Sequence, residues 1–400
     1  MERLYWNNDW KFAETWEEAM KEAVYPENEM EDVRLPHTCK ELPYHYFDEH
    51  AYQMLCGYRR HFMAPEAWQG KSVELTFEGV AHDAVVYVNG TEVKAHHCGY
   101  TAFSVELAKY LKYGEDNVLA VRVDSRENLN IPPFGYAIDY MTFGGMYREV
   151  YVQVRNKTHL ADVFIKPQIH PLQVTTEITV QNISDGITLQ QEIRKKGEGA
   201  YSPLGKKPVK QANVQTVFPV QEICLWEPEN PHLYEIRTSL WKNGEMIDAR
   251  VDITGFREAG FRKDGFYLNG KKLRLRGLNR HQSYPYVGYA APASMQIFDA
   301  DILKKELGVN AVRTSHYPQS QDFIRRCDEI GLLVFTEFPG WQHIGDEEWK
   351  RQAVQNLKEM IVQYRNHPSI ILWGVRINES QDDDVFYRET NRVAHELDDT

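Results

Sequence analysis

The stretch that decides the fold is YRNHPSIILWGVRINES, residues 364–380. A helical pattern ends before the dipeptide at 367–368, and the apolar run at 370–373 then predicts a fully buried strand of a parallel sheet. The polar pair Asn378 and Glu379 follows this strand. Parallel α/β folds place their chemistry at the carboxyl ends of the strands, so Glu379 is a candidate general acid. From this stretch alone, the alternative is that Glu379 merely begins the next helix.

The same strand–helix pattern repeats upstream. The sequence changes character near Gly255, after which apolar strands alternate with amphipathic helices. Strands are predicted over 273–279, 309–313, 332–336 and 370–373, and helices over 294–307, 320–330, 346–365 and 383–397. Four consecutive β/α units predict a parallel sheet or barrel.

Polar side chains follow each of these four strands. A single His or Arg in such a position is more often a hydrogen-bonded structural residue than a functional one. Four adjacent strand ends converge on one rim, however, and together they predict a functional site. The four sets are Asn279 to His281, Arg313 to Pro318, Glu337 to Trp341, and Asn378 with Glu379.

Residues 1–156 are predicted to form an all-β domain. Several short alternating strands are separated by turn residues, and Asn89-Gly90 lies between two β-rich runs, which is a strong hairpin signal. This pattern is typical of a sandwich or jelly roll. The loop over 132–145 is unusually aromatic and glycine-rich. A loop of this kind is either functional or packed at a domain interface.

Residues 157–258 predict a second, smaller β-domain. The length and the alternating strands fit an immunoglobulin-like β-sandwich. The polar segment 195–210 is interpreted as an exposed hairpin loop. No residue pattern here indicates chemistry, so the domain is expected to act as a spacer.

Composition excludes several classes of protein. Four hundred residues exceed a single core, and a net charge of −12 without a basic stripe argues against nucleic-acid binding. Five scattered cysteines fit reduced thiols better than a disulfide framework. The amino terminus lacks an apolar leader, and no stretch is long enough to span a bilayer. The sequence therefore predicts a soluble, cytoplasmic protein without a membrane partner.

Four motifs within the β/α region resemble those of glycoside hydrolase family 2. They are LRGLNRH at 275–281, NAVRTSHYP at 310–318, GLLVFTEFP at 331–339, and NHPSIILW at 366–373 followed by NES at 378–380. The resemblance covers the whole chain and implies three domains. These are a galactose-binding-like jelly roll over 1–156, an immunoglobulin-like sandwich over 157–258, and the first half of a (β/α)₈ TIM barrel over 259–400.

The resemblance also implies roles for individual residues. Family members use two carboxylates and a covalent glycosyl-enzyme intermediate. Glu379 matches the acid/base, expected to be partly desolvated with a raised pKa, and Asn378 matches the contact to the sugar 2-hydroxyl. Arg313 matches the arginine that orients the nucleophile. The expected substrate contacts are Asp139, His281, His316, Glu337 and Trp341.

Two departures from the family pattern qualify this assignment. Trp373 and Glu379 are separated by one residue more than usual, which a β-bulge would absorb. The metal-ligand pattern of some β-galactosidases is not clearly reproduced around 337–343, so neither a metal nor a cofactor is expected. The family's nucleophile lies on strand seven, so it is expected beyond residue 400, on a longer enzyme.

The leading expectation is a retaining exo-β-glycosidase, specifically a β-galactosidase acting on the terminal residue of small β-D-galactosides. A β-glucuronidase of the same family is the close alternative, and a β-mannosidase fits the fourth-strand motif less well. A non-catalytic carbohydrate-binding protein is the alternative from another class. Family members are often oligomers, but the sequence shows no self-complementary patch, so a homo-oligomer stays open.

Overall fold

Alternating apolar and polar residues in the first third of the chain build two packed antiparallel sheets. The computed structural model describes residues 3–45, 48–135 and 138–400. Short 3₁₀ turns lie at Glu18–Lys21, Glu49–Tyr52 and Glu66–Trp68. The strands are β1 (Leu4–Tyr5), β2 (Trp10–Ala13), β3 (Glu31–Val33), β4 (Leu55–Met63), β5 (Ser72–Phe77), β6 (Asp83–Val88), β7 (Thr91–His96), β8 (Phe103–Glu106), β9 (Asp116–Asp124) and β10 (Val150–Arg155).

One sheet has the order β1-β10-β5-β8 and the other β3-β2-β4-β9-β6-β7. Their facing side chains, such as Leu75 and Val121, form the largest apolar core. The predicted hairpin is confirmed, since Val88 pairs with Thr91 and both Asn89 and Gly90 have positive φ, at 50° and 83°. This conformation matches the twist of the flanking strands.

The second β-domain is a sandwich of a three-stranded sheet, β11-β12-β15, and a four-stranded sheet, β14-β13-β18-β19, with a small pair β16-β17. Its strands are β11 (His159–Ile169), β12 (Leu172–Gln181), β13 (Ile187–Lys195), β14 (Ser202–Pro208), β15 (Asn213–Pro219), β16 (Trp226–Glu227), β17 (Asn230–Pro231), β18 (Tyr234–Lys242) and β19 (Glu245–Thr254). The interpretation of 195–210 as a loop is wrong in part, because β14 pairs with β13. An exposed edge strand buries little, so its sequence is polar.

The last part of the chain begins with an antiparallel hairpin sheet, β20-β21-β22, and continues as a parallel sheet, β23-β24-β25-β26, with flanking helices. The elements are β20 (Ala259–Arg262), β21 (Gly265–Leu268), β22 (Lys271–Leu273), β23 (Gly277–Asn279), α1 (Ala293–Asp301) with a π-helical extension (Ile302–Glu306), β24 (Ala311–Thr314), α2 (Gln321–Ile330), β25 (Leu333–Glu337), α3 (Glu347–Tyr364), β26 (Ile370–Gly374) and α4 (Asp384–Leu397).

The starts of α2 and α3 are set by capping side chains. Ser320 accepts a hydrogen bond from the Asp322 amide, and Asp346 accepts from the amides of Glu348 and Trp349. Gly331 ends α2 in the left-handed conformation, at φ 70°. The four predicted β/α units are present. Each predicted helix end lies within one residue of the observed end, when the π-helical extension is counted with α1.

Two details of the parallel strands differ from prediction. The strand predicted over 273–279 is two elements, because Leu273 pairs with Phe266 in the hairpin and only 277–279 joins the parallel sheet. The run at 370–373 is not fully buried, since Leu372 is 38% exposed. β26 is the last strand of the described sheet, so it has a neighbouring strand on one side only.

All five cysteines lie within the described residues, and none forms a disulfide. Among the described helices, none is long and apolar enough to cross a bilayer.

Carboxyl groups cluster where the segment before β10 lies near the start of α2. Glu149, half-buried, faces Glu78 and Asp322, with Arg325 and Arg3 nearby. Burial, followed by the charges of Glu78 and Asp322, raises the pKa of Glu149 from its ordinary value of 4.5 to about 7. The folded protein therefore holds this proton more tightly than the unfolded chain does.

This shift predicts a pH dependence of stability. Because the pKa is higher in the folded state, the contribution of neutral Glu149 is complete below pH 4.5 and is lost as the pH rises to about 7. We expect Glu149→Gln to raise the melting temperature above pH 7 and to flatten its decline between pH 4.5 and 7. Thermal unfolding of both proteins across this range measures the effect. Glu347→Gln, on the exposed start of α3, is the control, and equal profiles for Glu149→Gln and wild type would refute the assignment.

Candidate active site

The carboxyl ends of the four parallel strands meet at one edge of the sheet. Asn279 lies beside Arg313, and Glu337 lies beside Gly374, in consecutive strand pairs. This register brings side chains that are far apart in sequence to a common rim. The side chains predicted from the strand ends therefore lie in one region.

Glu337, at the end of β25, is the centre of this region. Its side chain is 3% exposed. Arg313 Nε donates to Glu337 Oε2 at 3.0 Å, and Arg313 Nη2 donates to Oε1 at 3.0 Å. His316 Nδ1 lies 2.5 Å from Oε1. A buried carboxylate is stable only when paired and hydrogen-bonded in this way, and the fork geometry fixes the guanidinium plane.

The same guanidinium reaches the fourth strand end. Arg313 Nη2 also donates to Asn378 Oδ1, at 2.8 Å. Glu337 thus orients Arg313, and Arg313 orients Asn378. With both oxygens engaged by protein groups, Glu337 acts on the region by positioning its neighbours, and a direct substrate contact stays a prediction.

The aromatic loop of the jelly roll reaches this rim. Tyr140 has ring centroids 5.1 Å from His281, 6.0 Å from His316 and 6.4 Å from Trp341. Its hydroxyl is buried without a hydrogen-bond partner among the described residues. Tyr140 was not predicted as a site residue. The only sequence signal was its position beside Asp139 in an aromatic loop, where its contacts depend on long-range packing.

Four contacts to its backbone hold the loop, and each uses a side chain outside it. Tyr52 Oη accepts from the Thr142 amide at 2.9 Å, and Tyr289 Oη donates to the Met141 carbonyl at 2.6 Å. Trp349 Nε1 donates to the Phe134 carbonyl at 3.3 Å. The fourth pairs His82 Nε2 with the Thr142 carbonyl at 3.1 Å. The loop is therefore both packed at the domain interface and part of the site; its residues 136–137 lie outside the described residues.

His281 is held in its neutral form. Burial, then the charge of His316, lowers its pKa, while the charge of Asp139 acts in the opposite direction. Burial raises the pKa of Tyr317 to about 12, so this phenol keeps its proton. Tyr317 Oη accepts from the Gln282 amide at 3.3 Å and lies 3.1 Å from His281 Nδ1. Donation from the phenol to Nδ1 leaves the imidazole proton on Nε2, a donor suited to a hydroxyl ligand.

Trp341 and Asn378 join the third and fourth strand ends. They form an isolated parallel bridge, in which the Gln342 amide donates to the Asn378 carbonyl at 2.8 Å. The Trp341 ring lies 4.8 Å from that of His316.

The β-bulge expected after Trp373 is instead upstream, where Ile371 is skipped in the pairing with β25. The extra residue lies in the irregular segment 375–377, whose Ile377 packs beside Gly340.

Glu379 lies at the open side of the rim. Its backbone is left-handed, at φ 55°, and its Oε2 accepts from Gln342 Nε2 at 3.1 Å. The side chain is exposed, not partly buried as expected. It borders a groove of about 360 Å³ whose other lining residues include Arg313, Phe335, Leu372, Trp373 and Asn378. Asp139 is likewise exposed, and its charge acts on His281.

This arrangement can bind hydroxyl groups and supply a proton. The neutral imidazole of His281 and the amide of Asn378 each donate and accept hydrogen bonds, and Trp341 and Tyr140 add aromatic surface. Within the described ranges, no group of three or more His, Cys, Asp and Glu side chains is arranged to hold a metal ion.

Three family models match consecutive parts of the chain. The sugar binding domain of glycosyl hydrolases family 2 matches residues 32–155, the model named glycosyl hydrolases family 2 matches 158–257, and the TIM barrel domain of that family matches 260–400.

Curated relatives of this chain are named as beta-galactosidases or beta-glucuronidases. A beta-galactosidase of Thermoanaerobacter pseudethanolicus is 48% identical over 99% of this chain and 54% of its own length. A beta-galactosidase of Thermoanaerobacterium thermosulfurigenes is 46% identical over 98% and 56%. A putative beta-glucuronidase of Formosa agariphila is 31% identical over 92% and 46%. The chain thus spans about half the length of the curated relatives that it matches.

Solved structures share the fold. Bacteroides uniformis beta-glucuronidase superposes with a TM-score of 0.88 at 29% identity, covering 100% of this chain and 51% of that one. A putative beta-galactosidase from Bacteroides fragilis gives 0.84 at 26% identity, covering 99% and 61%.

The position of Asp139 predicts a measurable effect on His281. Since the Asp139 charge opposes the lowering of the His281 pKa, Asp139→Asn is expected to lower that pKa further. Imidazole NMR titration, with His281 assigned from a His281→Gln variant, measures it. Asp384→Asn, on the exposed start of α4, is expected to leave the His281 pKa unchanged. An equal pKa in Asp139→Asn and wild type would show that the loop does not deliver Asp139 to this rim.

Proposed function

We propose that this chain, which belongs to glycoside hydrolase family 2, carries the acid/base half of a retaining exo-β-glycosidase that removes terminal β-D-galactosyl groups. The observation that supports the proposal most is the network in which buried Glu337 orients Arg313 and His316, and Arg313 orients Asn378. Glu379 follows directly on Asn378, at the mouth of the groove.

In this proposal Glu379 donates its proton to the glycosidic oxygen as the bond to the leaving group breaks. It then removes a proton from the water that releases the sugar from the glycosyl-enzyme. Its exposed carboxyl, held by Gln342, becomes desolvated when substrate fills the groove. Burial raises the pKa of a carboxyl group, so substrate itself would favour the protonated acid.

The remaining residues position the sugar. Asn378 holds the 2-hydroxyl, a contact that strengthens in the transition state. His281 and His316 contact other hydroxyl groups, and Asp139 and Tyr140 enter from the jelly roll. Glu337 is not the nucleophile, because both of its oxygens already accept hydrogen bonds and its side chain is buried. We place the nucleophile on a later barrel strand, beyond residue 400.

A galactoside is preferred over a glucuronide on grounds of charge. A glucuronide carries a carboxylate, which needs a cation to bind it. The arginines at the described rim are already paired: Arg313 with Glu337, Arg280 with Asp299, and Arg376 with Asp382. The relatives with the higher identities quoted above, 48% and 46%, are also named beta-galactosidases.

The test is an assay of the full-length gene product on matched aryl β-galactoside and aryl β-glucuronide. The proposal expects faster hydrolysis of the galactoside and, by proton NMR, a first product with the β configuration. Preference for the glucuronide would mean that the substrate is a glucuronide and not a galactoside. An α product would overturn the retaining mechanism. Sugar binding without hydrolysis of either substrate would favour a non-catalytic carbohydrate-binding protein.

The acid role predicts a dependence on the leaving group. In Glu379→Gln, kcat/KM for alkyl or sugar leaving groups is expected to fall by roughly 10²–10⁴-fold, because these oxygens need a proton as they leave. An activated nitrophenyl galactoside leaves without one, so its glycosylation step is expected to change far less. Azide, which needs no general base, is expected to restore turnover. A uniform loss on all substrates would remove Glu379 from the acid role.

The positioning role of Glu337 predicts a different pattern. Glu337→Gln keeps the shape of the side chain but leaves the Arg313 charge without its partner, and losses of about 2–5 kcal/mol accompany such changes. We expect kcat to fall equally on activated and unactivated galactosides, with little change in KM. The two variants are compared on the same substrate series. A loss in Glu337→Gln that grows with leaving-group pKa would instead assign the acid to Glu337.

A further inference from the structure

Gln342 lies directly beside Glu379 on the strand-end rim. Its backbone amide donates to the Asn378 carbonyl at 2.8 Å, next to the bridge that joins Trp341 to Asn378. Its side-chain Nε2 donates to Glu379 Oε2 at 3.1 Å. The main chain and the side chain of one residue therefore both connect the third strand end to the polar pair that follows the fourth strand.

Both partners of this side-chain contact have a left-handed backbone. The φ angle is 54° at Gln342 and 55° at Glu379. Residues other than glycine rarely adopt this conformation, and those that do cluster at functional sites, where the surrounding structure holds them. Here the two strained residues are the two ends of a single hydrogen bond. The strain is thus concentrated at the contact between Gln342 and the proposed acid/base.

The segment that carries Gln342 is packed against the jelly roll. The next residue, His343, lies so close to Gly135 of the aromatic loop that a Cβ at position 135 would overlap its ring. The ring of His343 also meets that of Trp349 edge-on, with centroids 5.7 Å apart. The other domain and α3 therefore fix the place from which Gln342 reaches Glu379.

The chemistry of an amide N–H assigns different tasks to the two oxygens of Glu379. An N–H group only donates, so Oε2 accepts from Gln342 and carries no proton in that direction. Among the described residues, Oε1 has no hydrogen-bond partner. The side chain is exposed, so Oε1 is the oxygen left for a ligand in the groove.

We propose that Gln342 is a positioning residue that anchors Oε2 and leaves Oε1 as the one oxygen of Glu379 that exchanges a proton with the substrate. The inference rests on the proposed function, in which Glu379 acts first as acid and then as base. The place that the leaving oxygen vacates is the place that the incoming water takes. One fixed oxygen therefore serves both steps.

The two proton transfers at Oε1 are the reverse of each other. In the first step the nucleophile bonds to the sugar carbon, the glycosidic oxygen keeps the electron pair of its broken bond to that carbon, and the proton of Oε1 moves to this oxygen. In the second step a water oxygen bonds to the same carbon as the bond to the nucleophile breaks. The proton that this water loses returns to Oε1.

The test is the variant Gln342→Met in the full-length protein, because methionine is close in size to glutamine but cannot donate. We expect kcat/KM for alkyl galactosides to fall roughly tenfold or more, the scale of one hydrogen bond to a charged group. For a nitrophenyl galactoside, whose leaving group needs no proton, kcat/KM is expected to change far less. Its kcat is expected to fall where deglycosylation limits it, and azide is expected to restore it.

Two further proteins separate positioning from loop support. In Glu379→Gln, the added change Gln342→Met is expected to cause no further loss, because the group that it positions is gone. Gln355→Met is the matched control. Gln355 Nε2 on α3 donates to Glu359 Oε1 at 3.0 Å, an exposed contact of the same kind outside the groove, so its removal is expected to leave the kinetics unchanged.

Gln342→Glu is the second variant at this position. An ionised carboxylate cannot donate to Oε2, and a protonated one would share its proton with Glu379, so the loss on alkyl galactosides is expected to match or exceed that of Gln342→Met. Wild-type kinetics in both variants would overturn the inference. So would an equal loss on both classes of galactoside, or an undiminished loss in the Glu379→Gln protein, since either result would show that Gln342 only supports the loop.

The kinetics of Glu379→Gln distinguish this inference from the proposed function. A leaving-group dependence in Glu379→Gln that is missing from Gln342→Met would overturn the role of Gln342 alone. If Glu379→Gln itself shows no such dependence, the acid role fails and the role of Gln342 fails with it.

Discussion

The constraint on which the site depends is the burial of Arg148. This guanidinium lies between the jelly roll and the barrel, and it donates to carbonyls of both. Nη1 reaches the Glu78 and Tyr100 carbonyls at 3.3 and 2.9 Å, and Nη2 reaches Gln282 Oε1 and the Pro318 carbonyl at 3.2 and 2.9 Å. A buried charge is tolerated only when such groups satisfy it. Gln282 follows His281 and Pro318 closely follows His316, so Arg148 fixes both histidine loops against the other domain.

An aromatic layer extends this contact to the rim. Tyr100 of the jelly roll stacks on Tyr317 at 4.4 Å, and Tyr317 contacts Tyr140 at 5.4 Å. Rigid rings packed in this way lose little conformational freedom on ordering and transmit position well. The jelly roll therefore supplies part of the proposed sugar site, and Asp139 and Tyr140 take their places because two domains are held together.

How much of this could be predicted follows from the range of the interactions involved. The β/α units and the Asn89-Gly90 hairpin follow local rules of periodicity and turn chemistry, and they were predicted correctly. Residues 202–208 were missed because an exposed edge strand has no apolar alternation. The division of 273–279 and the exposure of Leu372 depend on which strands neighbour them, which no local pattern reports.

The site shows the same division. Strand-end position and family motifs identified Arg313, His316, Glu337 and Asn378, and the structure brings them together. The sequence did not show that Arg313 and His316 would engage both oxygens of Glu337, because this pairing depends on side-chain directions across adjacent strands. Tyr140 was overlooked since its burial is created by the other domain.

The Arg313 fork constrains how a second carboxylate could join this site. Its Nε and Nη2 already donate to Glu337 and Asn378, so on the proposed mechanism the nucleophile would meet the guanidinium through Nη1. Retaining enzymes place their two carboxyl groups only about 5–5.5 Å apart. The nucleophile would therefore lie in the groove between Arg313 and Glu379, over the half-exposed Leu372. Glu337 then contributes twice, since it fixes the plane of Arg313 and leaves a single edge of the cation for the reacting carboxylate.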